Sequence, residues 1–314
     1  MLIRTSGLAA ALLCAAASSL PAQAPALDQL ITRLSSVAAP TGYEDPLADT
    51  LMALLPRAAR DRAGNVILVL GRGQPRRMVA CPMDEPGWIV GGVRDDGYLT
   101  VRRLPGRVSA LFDQQLEGQR VELLGQNGPV PGVVGVRSVH LTRGRTASDA
   151  PFTFDDAFVD VGARSADEAR QLGLRETTPM VLAKHPLRYG TDLIASSSAG
   201  TRAACSALVR AATATPKGTV VVAFVVEQGL AGRGLLTAAT EHGPFEETVV
   251  LDAGNAAGPV AMDSLRRPAH GEALGRLARW SLRDRFDGWP VESVSINDAA
   301  ALEARLRAWI GGKP

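Results

Sequence analysis

The stretch MVACPMDEPGWIV, residues 78–90, ends an apolar run in an acidic turn and marks a change in the texture of the chain. Residues 78–81 have the continuous apolar pattern of a strand that is buried on both faces, as in parallel sheets. From Gly87 onward, short β-type runs such as YLTVRRL, QRVELL and GVVGV alternate with glycine, proline and aspartate turns. This texture predicts a small β-barrel or β-sandwich that begins inside the quoted stretch.

Two more apolar runs follow the β-rich region, GTVVVAFVVEQ and ETVVLDAG. The βα rhythm resumes here, and together with the amphipathic helical patterns over 27–37, over 47–55 and at the carboxyl end it predicts an α/β sheet interrupted by an all-β insertion. Carboxylates follow or end these strands at Asp84, Glu227 and Asp252. Because the carboxyl ends of parallel strands meet in one crevice, we expect these side chains to converge there, although such residues are also typical of helix caps and solvated turns.

The amino terminus has the pattern of a secretory signal peptide over residues 1–26. Arg4 is its one charged residue, an apolar run follows over 7–20, and small residues occupy positions 22, 24 and 26. This pattern predicts a bacterial protein that is exported to the periplasm or secreted. No later run approaches the roughly 18 apolar residues that a membrane span needs.

Charge and cysteine content exclude several classes of function. The whole chain has 34 basic and 32 acidic residues, and without Arg4 the net charge is +1. We therefore expect neither nucleic acid nor a membrane as a partner. After the signal peptide only Cys81 and Cys205 remain, and whether they pair is left open.

Other chemistry-bearing residues give weak signals. The four histidines, His140, His185, His242 and His270, fall in the β-rich region or in predicted loops, so surface or turn positions are favoured over metal ligation. The run SSSAG, residues 196–200, lacks the G-x-S-x-G elbow of serine hydrolases and is predicted to be a loop.

Motifs along most of the chain resemble those of the glutamyl and deblocking aminopeptidases that form tetrahedral particles. APTGYED is similar to the family's A-x-S-G-x-E turn, DRAGNVI to D-x-x-G-N, and CPMDEPGWIV to A-H-M-D-E-V-G-F-I-V. AGTRAAC, VEQGLAG and RFDGWPVE occupy the positions of D-N-R, E-E-V-G-L-R-G and R-Y-x-H. The resemblance implies a three-layer α/β/α phosphorylase/hydrolase-like peptidase domain with an inserted β-barrel. The expected boundaries are 1–26 for the signal peptide, 27–86 and 191–314 for the peptidase-like domain, and 87–190 for the barrel.

The resemblance also implies which positions would form a dinuclear metal site. The family's five ligand positions correspond to Pro82, Gly200, Glu227, Asp252 and Gly288 in this chain. Glu227 and Asp252 keep a carboxylate, whereas the proline and the two glycines have no side-chain donor. The family's general base is replaced by Val226, and Asp84 keeps the position that orients the missing histidine.

These replacements predict a catalytically inactive, exported homologue that binds a peptide or a partner and needs no cofactor. An active aminopeptidase with zinc or cobalt at Glu227 and Asp252 is the alternative, and assembly through the β insertion is a third hypothesis. Homo-oligomers are implied by the resemblance alone. If Glu227 and Asp252 face each other without metal, their repulsion is expected to raise the pKa of the pair.

Overall fold

The computed structural model describes residues 25–136, 144, 154–266 and 268–313. Residues 1–24 of the predicted signal peptide and His140 lie outside these ranges. The helices are α1 (Leu27–Ser35), α2 (Asp45–Leu54), α3 (Ala166–Gln171), α4 (Ala199–Ala211), α5 (Arg233–His242) and α6 (Ile296–Ile310). Among the described residues, no helix combines the length and apolar character that crossing a membrane requires.

The strands form one large sheet and one closed barrel. They are β1 (Ala59–Arg60), β2 (Val66–Gly71), β3 (Arg76–Pro82), β4 (Trp88–Val93), β5 (Leu99–Arg103), β6 (Arg120–Gly125), β7 (Gly128–Gly135), β8 (Phe158–Asp160), β9 (Pro179–Leu182), β10 (Leu187–Tyr189), β11 (Leu193–Ser196), β12 (Thr219–Val225), β13 (Glu247–Gly254), β14 (Val260–Ser264), β15 (Arg276–Arg285) and β16 (Glu292–Ser295).

The large sheet has the order β1-β2-β12-β3-β13-β15-β16-β11-β10, and β14 pairs with β15. Its centre is parallel, since β3 lies between β12 and β13, and β13 also pairs with β15 in the same direction. Every residue of β12 is buried, which explains its uninterrupted apolar sequence. The predicted parallel α/β core is confirmed.

Helices cover both faces of this sheet. Alternate residues of β3 belong to different cores: Val79 and Cys81 pack with α1, α2, α4 and α6, whereas Met78 and Ala80 pack with α5. The period of two along a strand sends successive side chains to opposite faces. Three layers result, with α5 alone among the named helices in the smaller core.

The barrel closes in the order β4-β5-β8-β7-β6-β9. Its core contains Trp88, whose ring centroid lies 4.8 Å from that of Phe154 and 6.0 Å from that of Phe112. The predicted barrel insertion is confirmed, and none of these six strands belongs to the large sheet. However, β10, which falls inside the range 87–190, pairs with β11 in the large sheet. The last strand of the barrel in the chain, β9, ends at Leu182.

A buried ion pair joins the two chain segments that lead into and out of the barrel. Glu85 precedes β4, Lys184 follows β9, and the two side chains are in direct contact. Arg202 of α4 places Nη2 3.4 Å from Oε1 of Glu85, and the backbone N–H of Ala39 donates to the same oxygen. Burial lowers the pKa of Lys184 despite the opposing effect of Glu85. We call this group the neck.

A disulfide joins Cys81 of β3 to Cys205 of α4. The two Cα atoms lie 5.6 Å apart, and both residues are completely buried. Cys81 points to the face that α4 covers. Pro82, the next residue, is the last residue of β3 and lies at the crevice. The pairing that the sequence left open is therefore present in the structure.

Candidate functional site

A cleft of about 380 Å³ opens at the carboxyl ends of β3, β12 and β13. This is the edge of a parallel sheet where α/β folds bind ligands. The amino end of α4, a loop of the barrel and the β15–β16 loop complete it. Its lining includes Thr41, Pro82, Asp84, Glu85, Arg107, Ser198, Thr201, Gln228, Gly229, Asp252, Arg279, Asp287, Gly288 and Glu292.

Three of the implied ligand positions, Pro82, Gly200 and Gly288, have no side-chain donor atom. At the two glycines the backbone N–H donates a hydrogen bond to a carboxylate. Glu292 accepts hydrogen bonds from the N–H of Gly200 at 3.2 Å and from the N–H of Gly288 at 3.1 Å. Gly288 has φ +73°, which favours glycine, and its carbonyl accepts from the N–H of Ser109 in the barrel. The third position, Pro82, is the last residue of β3 and is buried.

The space beside Gly200 is already filled. A Cβ at this position would lie 2.4 Å from Oδ2 of Asp284 and 2.4 Å from Cβ of Ala253. Both distances are shorter than non-bonded atoms adopt, so a larger residue would displace one of these groups. The fold therefore excludes an aspartate at position 200 unless its neighbours move.

Asp284 and Glu292 form a buried carboxyl pair behind the cleft. Burial and the nearby Glu292 carboxyl raise the pKa of Asp284 to about 10. Burial also raises the pKa of Glu292, while the Asp284 side chain and the N–H groups of Gly200 and Gly288 favour its charged form. Glu292 accepts from two backbone N–H groups and Asp284 from one, that of Ser293, so the hydrogen bonds favour the charge on Glu292 and the proton on Asp284.

Asp252 lies within β13 and faces two arginines. Nη2 of Arg107 is 3.7 Å from Oδ1 of Asp252, and Nη1 of Arg279 is 3.9 Å from its Oδ2. Arg107 also donates to both oxygens of Asp287, at 3.2 and 2.9 Å. Burial raises the pKa of Asp252, and Arg107 opposes that shift. Guanidinium groups thus supply positive charge beside this carboxylate.

Glu227 is turned away from the cleft. It adopts φ +53°, and Nη1 of Arg233 lies 3.1 and 2.9 Å from its two carboxylate oxygens. Its backbone N–H donates to Oε1 of Glu44, which also accepts from the N–H of Gly42. Glu227 is absent from the lining of the cleft, whereas Asp252 is present. The expected convergence therefore holds for Asp84 and Asp252 but not for Glu227.

Val226 and Asp84 have structural roles in this arrangement. Val226 is buried in the larger core, and its N–H donates to Oδ1 of Asn65. Oδ2 of Asp84 accepts from the N–H of Gly229 at 2.8 Å and from the hydroxyl of Thr41 at 3.0 Å. Asp84 thus fixes the loop after β12, and a carboxylate at the end of a buried strand is satisfied without a metal.

Sequence reasoning missed Arg107, Arg279, Asp284 and Glu292. Arg107 comes from the barrel, 145 positions before Asp252, and no local pattern reports such a contact. For Asp284 and Glu292 a signal existed, because an antiparallel hairpin around FDGWPV would place them on one face of adjacent strands. Ser198, expected in a loop, precedes α4 directly with φ +55° and lines the cleft.

Comparison with known proteins agrees with this architecture. The sequence profile of the M42 glutamyl aminopeptidase family matches residues 64–275, about two thirds of the chain. The chain belongs to the M42 family. A lysyl aminopeptidase of Pyrococcus furiosus is 31% identical over 171 residues, which cover 54% of this chain and 48% of that protein. The chain thus spans about half the length of the curated relatives with which it aligns first.

Solved structures extend the likeness over nearly the whole fold. The TET1 peptidase of Pyrococcus horikoshii has a TM-score of 0.79 at 20% identity, covering 91% of this chain and 99% of that one. An aminopeptidase of Desulfurococcus kamchatkensis gives 0.77 at 20% identity, covering 91% and 94%. At these identities the likeness shows the fold, including the inserted barrel.

The residues of this M42 chain do not fit the dinuclear metal centre that the family resemblance implies. Three ligand positions have no donor atom, the volume beside Gly200 is filled, and arginines face the two remaining carboxylates. Among the described residues, no group of three metal-ligating side chains forms at this cleft. Transition-metal sites need several ligands in fixed geometry, which these positions cannot provide.

Proposed function

We propose that this chain is an exported, catalytically inactive M42 homologue whose cleft binds a peptide or a partner protein. The observation that carries this proposal is the state of the site: Val226 fills the base position, and Arg107 and Arg279 face Asp252. Valine accepts no proton, and an arginine beside a carboxylate opposes the approach of a second cation. Hydrolysis by the family's metal-bound water therefore lacks its base and three of the five ligand side chains that the resemblance implies.

Features around the cleft support a binding role. The aromatic residues Phe286 and Trp289 lie on either side of Asp287 and Gly288, which line the cleft. The ring centroids of the two aromatic side chains are 5.8 Å apart, and both side chains are exposed to solvent. Leu230, also exposed, follows the lining residue Gly229. Aromatic and apolar groups beside a polar cleft are typical of surfaces that bind peptides and proteins.

The buried disulfide supports export. Disulfides form and persist in oxidising compartments such as the periplasm and the extracellular space, and they are rare in the cytosol. The Cys81–Cys205 bond agrees with the signal peptide expected from residues 1–26. We further propose a homo-oligomer, because a related TET1 peptidase is described as assembling into a tetrahedron or a large octahedral shell.

Turnover of aminoacyl anilides after loading with zinc or cobalt tests the proposed inactivity. We expect the parent protein to match a Glu227→Ala, Asp252→Ala double variant, because neither carboxylate serves a reaction. A metal-dependent rate that the double variant lacks would support the alternative, an active aminopeptidase with an atypical site.

Peptide binding is tested separately by fluorescence polarisation with a labelled random peptide library. We expect binding to weaken on Trp289→Ala and to persist on Val133→Ala, which removes an exposed apolar side chain on the barrel strand β7. Equal loss in both variants, or no binding by the parent, would refute a binding role for the cleft.

A further inference from the structure

A second group of metal-ligating residue types lies away from the cleft, at the carboxyl end of α5. Asp61 lies in the turn between β1 and β2, and Glu241 and His242 are the last two residues of α5. One carboxylate oxygen from each acid and one ring nitrogen of His242 all lie within 4.8 Å of one another. Across residues 25–136, 144, 154–266 and 268–313, no other three such side chains come so close.

We propose that Asp61, Glu241 and His242 bind one divalent first-row transition-metal ion that ties α5 to the β1–β2 turn. One imidazole and two carboxylates suit Zn²⁺, Co²⁺ or Mn²⁺, and water completes the coordination. Ligand atoms about 2.1 Å from a tetrahedral ion lie about 3.4 Å apart. Each pair of these atoms, at most 4.8 Å apart, therefore needs to close by at most about 1.4 Å to surround an ion.

His242 provides an observation independent of the two acids. Its Nε2 is buried and has no hydrogen-bond partner among the described residues. Buried polar atoms are normally paired, and a metal ion is one of the partners that a ring nitrogen accepts. The carbonyl of His242 accepts from Nε of Arg76 at 2.7 Å, which fixes the end of the helix that carries the imidazole. Sequence patterns had favoured a loop position for His242.

Hydrogen bonds hold the Asp61 carboxylate in place. Its Oδ1 accepts from the N–H groups of Ala63 and Asn65, at 2.9 and 3.0 Å, and its Oδ2 accepts from Nδ2 of Asn65 at 2.6 Å. A carboxylate has about four lone-pair sites, so one remains for an ion. Contacts of this kind orient metal ligands in known sites. Asn65 also donates to the carbonyl of Gly234, which links the turn to the start of α5.

Both anionic and cationic groups lie at this helix end. The carboxylates of Asp61 and Glu241 favour a cation, whereas Arg76, whose Nε donates to the His242 carbonyl in the last turn of α5, offsets the partial negative charge of the helix terminus. Nε of Arg62 lies 2.6 Å from Oε1 of Glu241, and 71% of the Arg62 side chain is exposed. Such a pair contributes little and can be exchanged for a metal ion, because the guanidinium regains water when it leaves.

Zinc titration of the chelator-treated full chain tests the proposal. Calorimetry should give one Zn²⁺ per chain, and Zn²⁺ should raise the unfolding temperature. His242→Ala and Glu241→Gln should each weaken binding at least tenfold. Two controls should bind like the parent: His185→Ala, which removes an exposed imidazole elsewhere, and the Glu227→Ala, Asp252→Ala double variant of the cleft.

Circular dichroism of each metal-free variant checks that it is folded, and Glu241→Gln, at an exposed position, decides the question if His242→Ala does not fold. The proposal is overturned if the parent binds no zinc, or if Glu241→Gln binds as the parent does. Loss of zinc in the Glu227→Ala, Asp252→Ala variant would assign the ion to the cleft instead. That result would contradict this proposal and the conclusion that the cleft does not fit a metal, whereas an absence of zinc would overturn this proposal alone and leave the proposed inactivity intact.

Discussion

Glu292 brings Gly200 and Gly288, two positions where the family resemblance implies metal ligands, into the protein's own hydrogen bonding. Its two carboxylate oxygens accept from the backbone of Gly200 and Gly288, which lie on α4 and on the β15–β16 loop. A buried charge is stable only when donors surround it, and here the donors are peptide N–H groups. The N–H groups of Gly200 and Gly288 thus connect α4 to the β15–β16 loop through the Glu292 carboxylate.

Asp284→Asn should stabilise the protein, and the gain should grow with pH. The folded-state pKa of about 10 exceeds the unfolded value, so the folded state binds the extra proton. The free energy of unfolding of the parent therefore falls as pH rises from about 4 towards 10. Asparagine does not titrate and keeps a donor for Glu292. Between pH 5 and pH 8 the relative gain should reach at most about 4 kcal/mol, at about 1.4 kcal/mol per pH unit.

Urea unfolding of both proteins at pH 5 and pH 8 measures this effect. Asp167→Asn is the matched control, since it makes the same chemical change at a side chain that is 86% exposed. An Asp284→Asn protein that loses stability relative to the parent at pH 8 would mean that the charged Asp284 carboxylate is needed.

Gly200→Ala should destabilise the protein by about 1–3 kcal/mol, the usual cost of overfilling a core. Its Cβ would meet Asp284 and Ala253 at 2.4 Å each. In an open helix the same change stabilises, so the sign separates the clash from helix propensity. Thermal unfolding measures it, with Gly258→Ala as control because nothing lies within 4 Å of a Cβ there. A Gly200→Ala protein as stable as the parent would show that the pocket beside α4 can expand.

Elements differ in how far sequence could predict them. Strands β12 and β13 were predictable because burial on both faces leaves an uninterrupted apolar run, and the barrel because short strands and turns alternate regularly. Helix α5 was missed, since its first three residues belong to GLAGRGL, residues 229–235, which has the composition of glycine turns. Strand β10 consists of three exposed residues, and so short a segment gives no periodic signal that would assign it to the barrel or to the large sheet.

The residues of the cleft could be predicted from the sequence only where a local pattern places them. The positions of Asp84 and Asp252 follow from strand ends, which local patterns identify. The orientation of Glu227 depends on a positive φ and on Arg233 six residues later, and the contact of Asp252 with Arg107 depends on how the barrel sits on the sheet. Such contacts arise from tertiary structure rather than from local sequence.

Removing the disulfide with Cys81→Ala and Cys205→Ala should lower the free energy of unfolding by about 2–5 kcal/mol. The bond joins positions 124 residues apart, so it restricts the unfolded chain strongly, and it also connects β3 to α4 behind the cleft. Urea midpoints with and without reductant measure the effect, and the double variant should be insensitive to reductant. Two thiols titrated in the unfolded, unreduced parent would contradict the bond.

At the scale of the whole molecule, the barrel should be separable from the α/β domain. Deleting residues 87–182 and joining the ends by a short Gly-Ser linker should leave a cooperatively folding α/β unit, because the barrel strands share no ladder with the large sheet. Circular dichroism and urea unfolding test this. The same deletion combined with Lys184→Met should be less stable, since it removes the ammonium group in contact with Glu85 and leaves only Arg202 and the Ala39 N–H beside that carboxylate. A non-cooperative deletion product would show that the barrel is needed to fold the rest.

The neck also determines how the molecule would respond to force. The chain enters and leaves the barrel beside Glu85 and Lys184, so a pull on the barrel converges on one point of the α/β domain. Four residues before Glu85, Cys81 is covalently attached to α4, so tension that reaches β3 is shared with a buried helix. In a single-molecule pulling experiment with both handles in the barrel, the six-stranded unit should extend first as a separate event. The α/β domain would stay shielded from the load for as long as the neck contacts remain closed.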